Sequence, residues 1–522
     1  MLSALSHLAR LARAGFVFAR EGVLALPYPV PLPVSAQIAV KLARLIERPT
    51  GSSAEHRLSA ALTKLGPAYV KLGQFLATRP DVVGVILARD LESLQDKMPP
   101  FPQAQAETVV SEALGKPLRD AYAAFGPAVA AASIAQVHRA ELTTAEGRKP
   151  VAVKVLRPDV ERRFRTDVEA FNFVAQLGER FSAEARRLRL IETVNTLRRS
   201  VAIEMDLRLE AAALSEMAEN TKADPDFRVP AVDWDRTAKD VLTLEWIDGT
   251  PLNDRAGLEA LGLDLKKLAA AVIQTFLRHA LRDGFFHADM HPGNLFVDAE
   301  GKLTAVDFGI MGRLGPKERR FLAEILYGFI TRNYRRTAEV HFEAGYVPSK
   351  HSVDDFAQAI RAIGEPIHNR TAEDISMAKL LTLLFEVTSL FDMRTRPELL
   401  LLQKTMVVVE GVARGFDPKL DMWTISEPVV REWMERHLGP AGRIEDAAKD
   451  ATNFLAGVPS LMTRGAVLIE QLDVITRDGL VLAPETVAAI GQAEARRNRW
   501  SAIALWAIAL LLAWIVWLIL WR

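Results

Sequence analysis

The stretch FFHADMHPGNLFV, residues 285–297, sets apolar strand-like residues on either side of a polar knot of His287, Asp289, His291 and Asn294. Burying a carboxylate and an amide costs several kcal/mol unless each finds a partner, so the knot needs a purpose. Two readings fit the stretch alone. Alternation in His287-x-Asp289-x-His291 puts three metal ligands on one face of a strand, as in a metallohydrolase. Alternatively, Asp289 and Asn294 match the H-x-D-x-x-x-x-N loop of phosphoryl-transfer enzymes, in which the Asp faces the acceptor and the Asn holds magnesium. The rest of the chain decides between them.

Lys154 lies inside the apolar run VAVKV, and Asp307 opens Asp307-Phe308-Gly309 directly after the apolar KLTAV. Each is weak by itself, since a lone lysine in a strand usually snorkels to solvent and a D-F-G tripeptide recurs by chance. Together they form a set in kinase order: Lys154, Asp289, Asn294 five residues on, and Asp307 thirteen beyond that. The metallohydrolase reading leaves Lys154 and Asp307 without a job. The kinase-like reading uses both. A transferred phosphoryl group needs positioning and charge neutralisation more than covalent help. Lys154 would pair with the nucleotide phosphates, and Asn294 and Asp307 supply hard oxygen ligands of the kind magnesium takes. His287 and His291 then need no metal and are expected to serve by hydrogen bonding within the loop.

Such a site also needs a carboxylate to orient Lys154. The stretch VAIEMDLRLEAAALSEMAEN (201–220) reads as one helix and offers Glu204, Asp206 and Glu210. Glu204 and Glu210 are six apart and diverge by roughly 120° around a helix, so they are not expected to do the same thing. The glycine-rich phosphate loop of ordinary kinases is missing. AVAAASIAQ (128–136) stands in its place. Alanine resists positive φ and holds the backbone farther from a phosphate than glycine does.

Alanine-rich AAAS (130–133), Glu204-Met205-Asp206, HADMHPGNLFVD and Lys71-Leu72-Gly73-Gln74 together closely resemble the UbiB family of atypical kinase-like proteins. The resemblance runs from about residue 60 to 345. It implies an α+β, two-lobed, atypical protein-kinase-like fold with an N-terminal helical extension, ATP or ADP with Mg2+ as cofactors, and a role in ubiquinone biosynthesis. Residue by residue, it implies that Lys154 is the nucleotide-binding lysine with Glu210 as partner and that Glu204 and Asp206 are the family's E-x-D motif. Ala130, Ala131, Ala132, Ser133 and Glu245 join the nucleotide site. Asp289 corresponds to the catalytic-loop aspartate, and Asn294 and Asp307 to the metal ligands. Lys71 and Gln74 are i,i+3 on one helix face, in a K-x-G-Q segment that the family folds over the active site. The ammonium of Lys71 is then expected to meet Glu204, Asp206 and Asp307. One departure is Leu209 before Glu210, where arginine is common. After Gly309 the chain passes through IMGRLGPKERR straight into a helical pattern. That leaves no room for a peptide-docking activation segment, so activity on other proteins is not expected.

The resulting organisation is a basic, amphipathic helical segment (1–54), the K-x-G-Q extension (55–115), an N-lobe with the inserted E-x-D helix (116–250), a C-lobe (251–345), a helical region (346–498) and a tail (499–522). Leu2, Leu5, Leu8 and Leu11 recur beside Arg10 and Arg13, which suits a helix laid on a membrane surface or on the protein's own body. From Ser501 to Leu520 there are twenty residues without a charge, bracketed by Trp500 and Trp521 and preceded by three arginines. That run reads as a single-pass C-terminal anchor in the cell inner membrane with the kinase-like domain in the cytoplasm. Lys+Arg and Asp+Glu are both 65 and cysteine is absent, which gives no basic field for nucleic acid and excludes disulfides and thiolate metal sites.

The expected function is a magnesium-dependent ATPase or small-molecule kinase. Its expected partners are membrane lipids, polyprenylated quinone precursors and other ubiquinone-biosynthesis enzymes, with a homodimer allowed. A nucleotide-binding scaffold without turnover, and a part in polyprenylphenol hydroxylation, are the alternatives.

Overall fold

Hydrophobic alternation in residues 124–156 builds a sheet with one buried face. In the computed structural model, which describes residues 2–23, 57–77, 98–181, 189–366 and 397–439 with isolated positions between them, it forms β1 (Ala124–Ala131), β2 (Ala135–Thr144) and β3 (Gly147–Leu156). After the two-residue β4 (Phe227–Arg228) comes β5 (Val241–Glu245), and the sheet runs β1-β2-β3-β5, antiparallel throughout. The β2–β3 turn is tight, with Gly147 at φ +121° and the Thr144 hydroxyl donating to its carbonyl at 2.8 Å. Val151, Val153 and Val155 of β3 pack with Ala106 and Val110 of the helix Gln103–Leu114. Period-2 geometry therefore turns Lys154, paired with Val137 and Leu242, to the other face.

The single helix expected over 201–220 is two. Leu190–Glu204 ends at Met205, and Leu207–Asn220 begins after Asp206, which is extended at φ −122° and ψ 94° and accepts from the N–H of Arg208. An aspartate that caps a helix from outside cannot also continue the preceding one. Glu204 thus closes one helix while Glu210 sits in the first turn of the next.

Helix Leu265–Arg278 buries Leu268, Val272, Ile273 and Phe276. A π-helical turn, His279–Asp283, follows, and Gly284 at φ +66° ends it. Short strands come next: β6 (Thr250–Pro251) before that helix, then β7 (Phe285–His287), β8 (Leu295–Val297), β9 (Leu303–Ala305) and β10 (Met311–Arg313). β7 pairs with β10, and a second sheet is ordered β4-β9-β8-β6. The polar knot is therefore the loop between β7 and β8, and Asp307 follows β9. Helix Pro316–Ile330 starts three residues past the end of β10, with Pro316 in its first turn. Helix Pro397–Phe416 shares the main core with Leu265–Arg278 through Leu402, Val409 and Val412.

The N-terminal helix Leu2–Arg20 lies on the protein's own body: Ala14 and Ala19 are buried, and Arg10 pairs with Asp167 of the helix Val160–Phe181 at 2.5 Å. Contacts divide the chain into units Met1–Met434 and Glu435–Arg522, and every element above belongs to the first.

Among the described residues no helix is long and apolar enough to cross a membrane. This corrects the single-pass inner-membrane location, and the cytoplasmic placement tied to it, read from the C-terminal run. Residues 499–522 lie outside the described residues, and an uncharged run is also what a helix buried within protein displays.

Candidate active site

Three elements meet at the ammonium group of Lys154. It donates to both oxygens of Glu210, at 2.8 and 2.9 Å, and to Oδ1 of Asp307 at 2.7 Å. The Lys154 and Glu210 side chains are 14% and 6% exposed, whereas Asp307 keeps 44% of its surface open to the cleft. Burial alone would push the lysine down, but Asp307 and Glu210 outweigh it and hold the ammonium charged. Lys154 in turn draws the carboxyl of Asp307 down to about 2, with smaller help from His287 and Lys71. Burial pushes the Glu210 carboxyl up, against the opposing pull of the Lys154 ammonium. Asp307 has φ +62°, a left-handed conformation that aspartate tolerates better than most residues.

The β7–β8 loop holds its own side chains by local bonds. Asn294 Nδ2 donates to Oδ2 of Asp289 at 3.0 Å and to its carbonyl at 3.1 Å. That commits the amide nitrogen inward and leaves the amide oxygen as the group suited to a cation. His287 is buried, and its Nδ1 accepts from the N–H of Asp289 at 3.0 Å. Its Nε2, 3.1 Å from the carbonyl of Val306, must then carry the proton. His291 Nδ1 accepts from the N–H of Gly293. Among the described residues no group of three or more His, Cys, Asp or Glu is placed to hold a metal, so the three-ligand strand reading finds no support.

Burial lowers the His287 imidazole below its ordinary value, against the pull of the Val306 carbonyl and Asp289. As pH falls, the unfolded chain takes up this proton first, near about pH 6.5. The contribution of His287 to stability is therefore intact above that value and declines below it. Nitrogen NMR at pH 6 should show a neutral, Nε2-protonated ring. An imidazolium signal there would contradict the bonding described.

The K-x-G-Q helix, Pro67–Ala77, brings Lys71 to Glu204, with Nζ–Oε2 at 2.6 Å and both side chains about one-tenth exposed. Gly73 is needed for close packing, because a Cβ there would lie 2.3 Å from Leu94 and 2.7 Å from Leu62. Gln74 stands half-buried on the face of Lys71. Asp206 does not join them. Its carboxylate caps the helix Leu207–Asn220 and pairs with the Arg208 guanidinium at 2.7 and 2.9 Å. Glu245 at the end of β5 likewise directs its oxygens to Arg228 and the N–H of Ala231, not to Lys154.

Ala130 and Ala131 end β1 opposite Val137 and Gln136. Ala132 closes the turn by donating to the carbonyl of Ala135 at 2.8 Å, Ser133 is buried, and no residue of 128–136 has positive φ. The sequence reading passed over Arg157, whose Nε and one terminal nitrogen both donate to the carbonyl of Ala132 at 3.0 and 2.8 Å. The same nitrogen reaches the carbonyl of Pro99 at 2.9 Å. An arginine three residues after Lys154 and just past the strand was the available signal.

Residues 93–341 match the ABC1 atypical kinase-like domain, and residues 360–421 match the UbiB helical domain. A probable protein kinase UbiB of Marinobacter nauticus is 39% identical over 464 residues, which make up 88% of this chain and 84% of that protein. One of the same description from Azotobacter vinelandii is 40% identical over 395 residues, 75% of this chain and 73% of that protein. A Mycobacterium tuberculosis protein solved as a complex with erythromycin is similar in fold, with a TM-score of 0.51 and 24% identity over 76% of this chain and 97% of that one.

Proposed function

The chain belongs to the UbiB family of atypical kinases, and from that premise we propose that it is a magnesium-dependent ATPase or small-molecule phosphotransferase in ubiquinone biosynthesis, acting on or presenting polyprenylated precursors to other enzymes of the pathway. The observation that carries the reading is the ammonium of Lys154 held between Glu210 and Asp307 at 2.7–2.9 Å. A lysine fixed this way is aimed, charged and ready to receive phosphate oxygens.

The donor set fits magnesium: a carboxylate kept ionised and partly open at Asp307, and an amide oxygen at Asn294, both hard oxygen ligands. When bound, the ion neutralises and orients the nucleotide phosphates. The chain's own residues do the rest. Lys154 positions the phosphates, and Asp289, steadied by Asn294, takes the proton from an acceptor hydroxyl or water. The pairing of Lys71 with Glu204 holds the K-x-G-Q helix at the cleft, which favours a small acceptor over a polypeptide.

Lys71 tests this reading. Its ion pair is largely desolvated, so removing one partner strands a charge at a cost of about 3–5 kcal/mol, well above the ~0–1 kcal/mol of a surface bridge. Lys71→Ala should keep the fold, release the helix, change nucleotide turnover and permit autophosphorylation. Lys71→Glu should do more, because it sets like charges together. Phosphate release and phosphate incorporation into the chain measure both effects. Wild-type behaviour of both variants in both assays would reduce Lys71 to a structural residue and defeat the capped-cleft reading.

A further inference from the structure

Ala288, between His287 and Asp289, is 3% exposed. Its carbonyl points into protein, where an unpaired oxygen would cost about 1–3 kcal/mol. The hydroxyl of Thr405 lies 3.1 Å from that oxygen. Thr405 is fully buried on the helix Pro397–Phe416, 117 residues away in sequence and within the part of the chain that matches the UbiB helical domain. The same hydroxyl is 2.8 Å from the carbonyl of Leu401, the usual partner of a helical threonine four residues on, so its one proton is shared between two acceptors.

The bond to Ala288 matters because of what lies on the other edge of the same peptide. The Ala288–Asp289 unit is planar, with its C=O and N–H pointing in opposite directions. Thr405 holds the C=O, and His287 Nδ1 holds the N–H at 3.0 Å. One residue earlier, the N–H of Ala288 is fixed by the carbonyl of Ile310 at 3.0 Å. The plane that carries Asp289 is therefore gripped on both sides, and Asn294 then fixes its carboxylate. His287 and Asn294 belong to the loop itself. Ile310 supports the preceding peptide from just before β10, and Thr405 supports this one from the helix Pro397–Phe416.

We propose that Thr405 is a positioning residue for Asp289, through which the C-terminal helical domain sets the geometry of the reacting aspartate. The inference rests on the reading of Asp289 given above. A misplacement of about 1 Å at a reacting group can lower a rate about a hundredfold while leaving remote binding contacts alone. Nucleotide affinity resides in Lys154, Asp307 and the alanine-rich loop, which Thr405 does not touch. Loss of its hydroxyl should thus appear in kcat and not in nucleotide binding.

The test uses the full chain with three substitutions. Thr405→Val keeps the shape without the hydroxyl, Thr405→Ala removes hydroxyl and methyl, and Thr405→Ser keeps the hydroxyl. Val and Ala variants should both lose about tenfold to a hundredfold in kcat for MgATP turnover, with MgADP affinity within about twofold of wild type, while Ser restores turnover. Amide exchange across 287–291 should quicken in the Val and Ala variants alone. Wild-type kcat in either hydroxyl-free variant overturns the proposal. So does a parallel loss of MgADP binding, or a Ser variant as slow as Val. Asp289→Asn, measured beside them, separates the two levels. If it retains turnover, the reading of Asp289 itself fails; if it is inactive while Thr405→Val is normal, only the role of Thr405 fails.

Discussion

Replacing Asp307 with asparagine is expected to lower magnesium-dependent nucleotide turnover about a thousandfold, equivalent to about 4 kcal/mol of transition-state stabilisation, while the chain still folds, less stably by the lost ion pair with Lys154. Asparagine tolerates the φ of +62° found there, so the backbone is not strained by the change. Lys154 keeps both contacts to Glu210, so no buried ammonium is left alone. What disappears is the ionised ligand on the open side of the cleft. ADP release and MgADP binding, each titrated with magnesium, check the outcome. Unchanged affinity and turnover would remove Asp307 from the site. Its pH behaviour follows from the same geometry. The folded carboxyl is held at about 2, below the ordinary value of about 3.9. Its contribution to stability is present above that ordinary value and is lost as pH falls through about 2. A loss of turnover between pH 5 and 7 must therefore come from another group.

Gly284→Ala should be strongly destabilising for so small a substitution. Gly284 has φ +66°, and a Cβ there would lie 2.4 Å from the backbone oxygen of Leu314. The left-handed backbone costs about 1–2 kcal/mol for an L-residue. The clash adds about 1–3 kcal/mol, since a backbone oxygen cannot swing aside. Gly345 is the control, because it has φ +70° but open space around the missing Cβ. Gly345→Ala should lose only the backbone portion. Urea unfolding of both variants separates the two causes, and equal losses would mean that the β7–β10 junction relaxes around the new methyl. The position matters because Gly284 leads directly into β7 and the loop of Asp289.

Much of this was legible in the sequence because it is local. The alternation of SIAQVHRAEL (133–142) and the apolar run VAVKV suit the paired strands of the β2–β3 hairpin. The order of Lys154, Asp289, Asn294 and Asp307 marked a kinase-like site before any contact was known. The break at Met205-Asp206 was harder to see. No glycine or proline interrupts that stretch, and only the capping tendency of Asp206 betrays it. Reading one helix there grouped Asp206 with Glu204, whereas the cap turns Asp206 to Arg208 and leaves Glu204 alone with Lys71. The grips of Arg157 on Ala132 and of Thr405 on Ala288 join residues 25 and 117 apart. No local pattern encodes such distances. The C-terminal run shows the opposite failure. Its hydropathy was conspicuous, but composition says which surroundings a segment tolerates and not which it has.

The most direct measurement is quinone and precursor profiling in a strain lacking this gene, complemented with the wild-type chain or with Asp307→Asn at matched protein levels. If nucleotide chemistry at Lys154 and Asp307 serves ubiquinone biosynthesis, wild type restores ubiquinone while Asp307→Asn leaves it depleted and a polyprenylated precursor accumulated. Full restoration by Asp307→Asn would contradict that link.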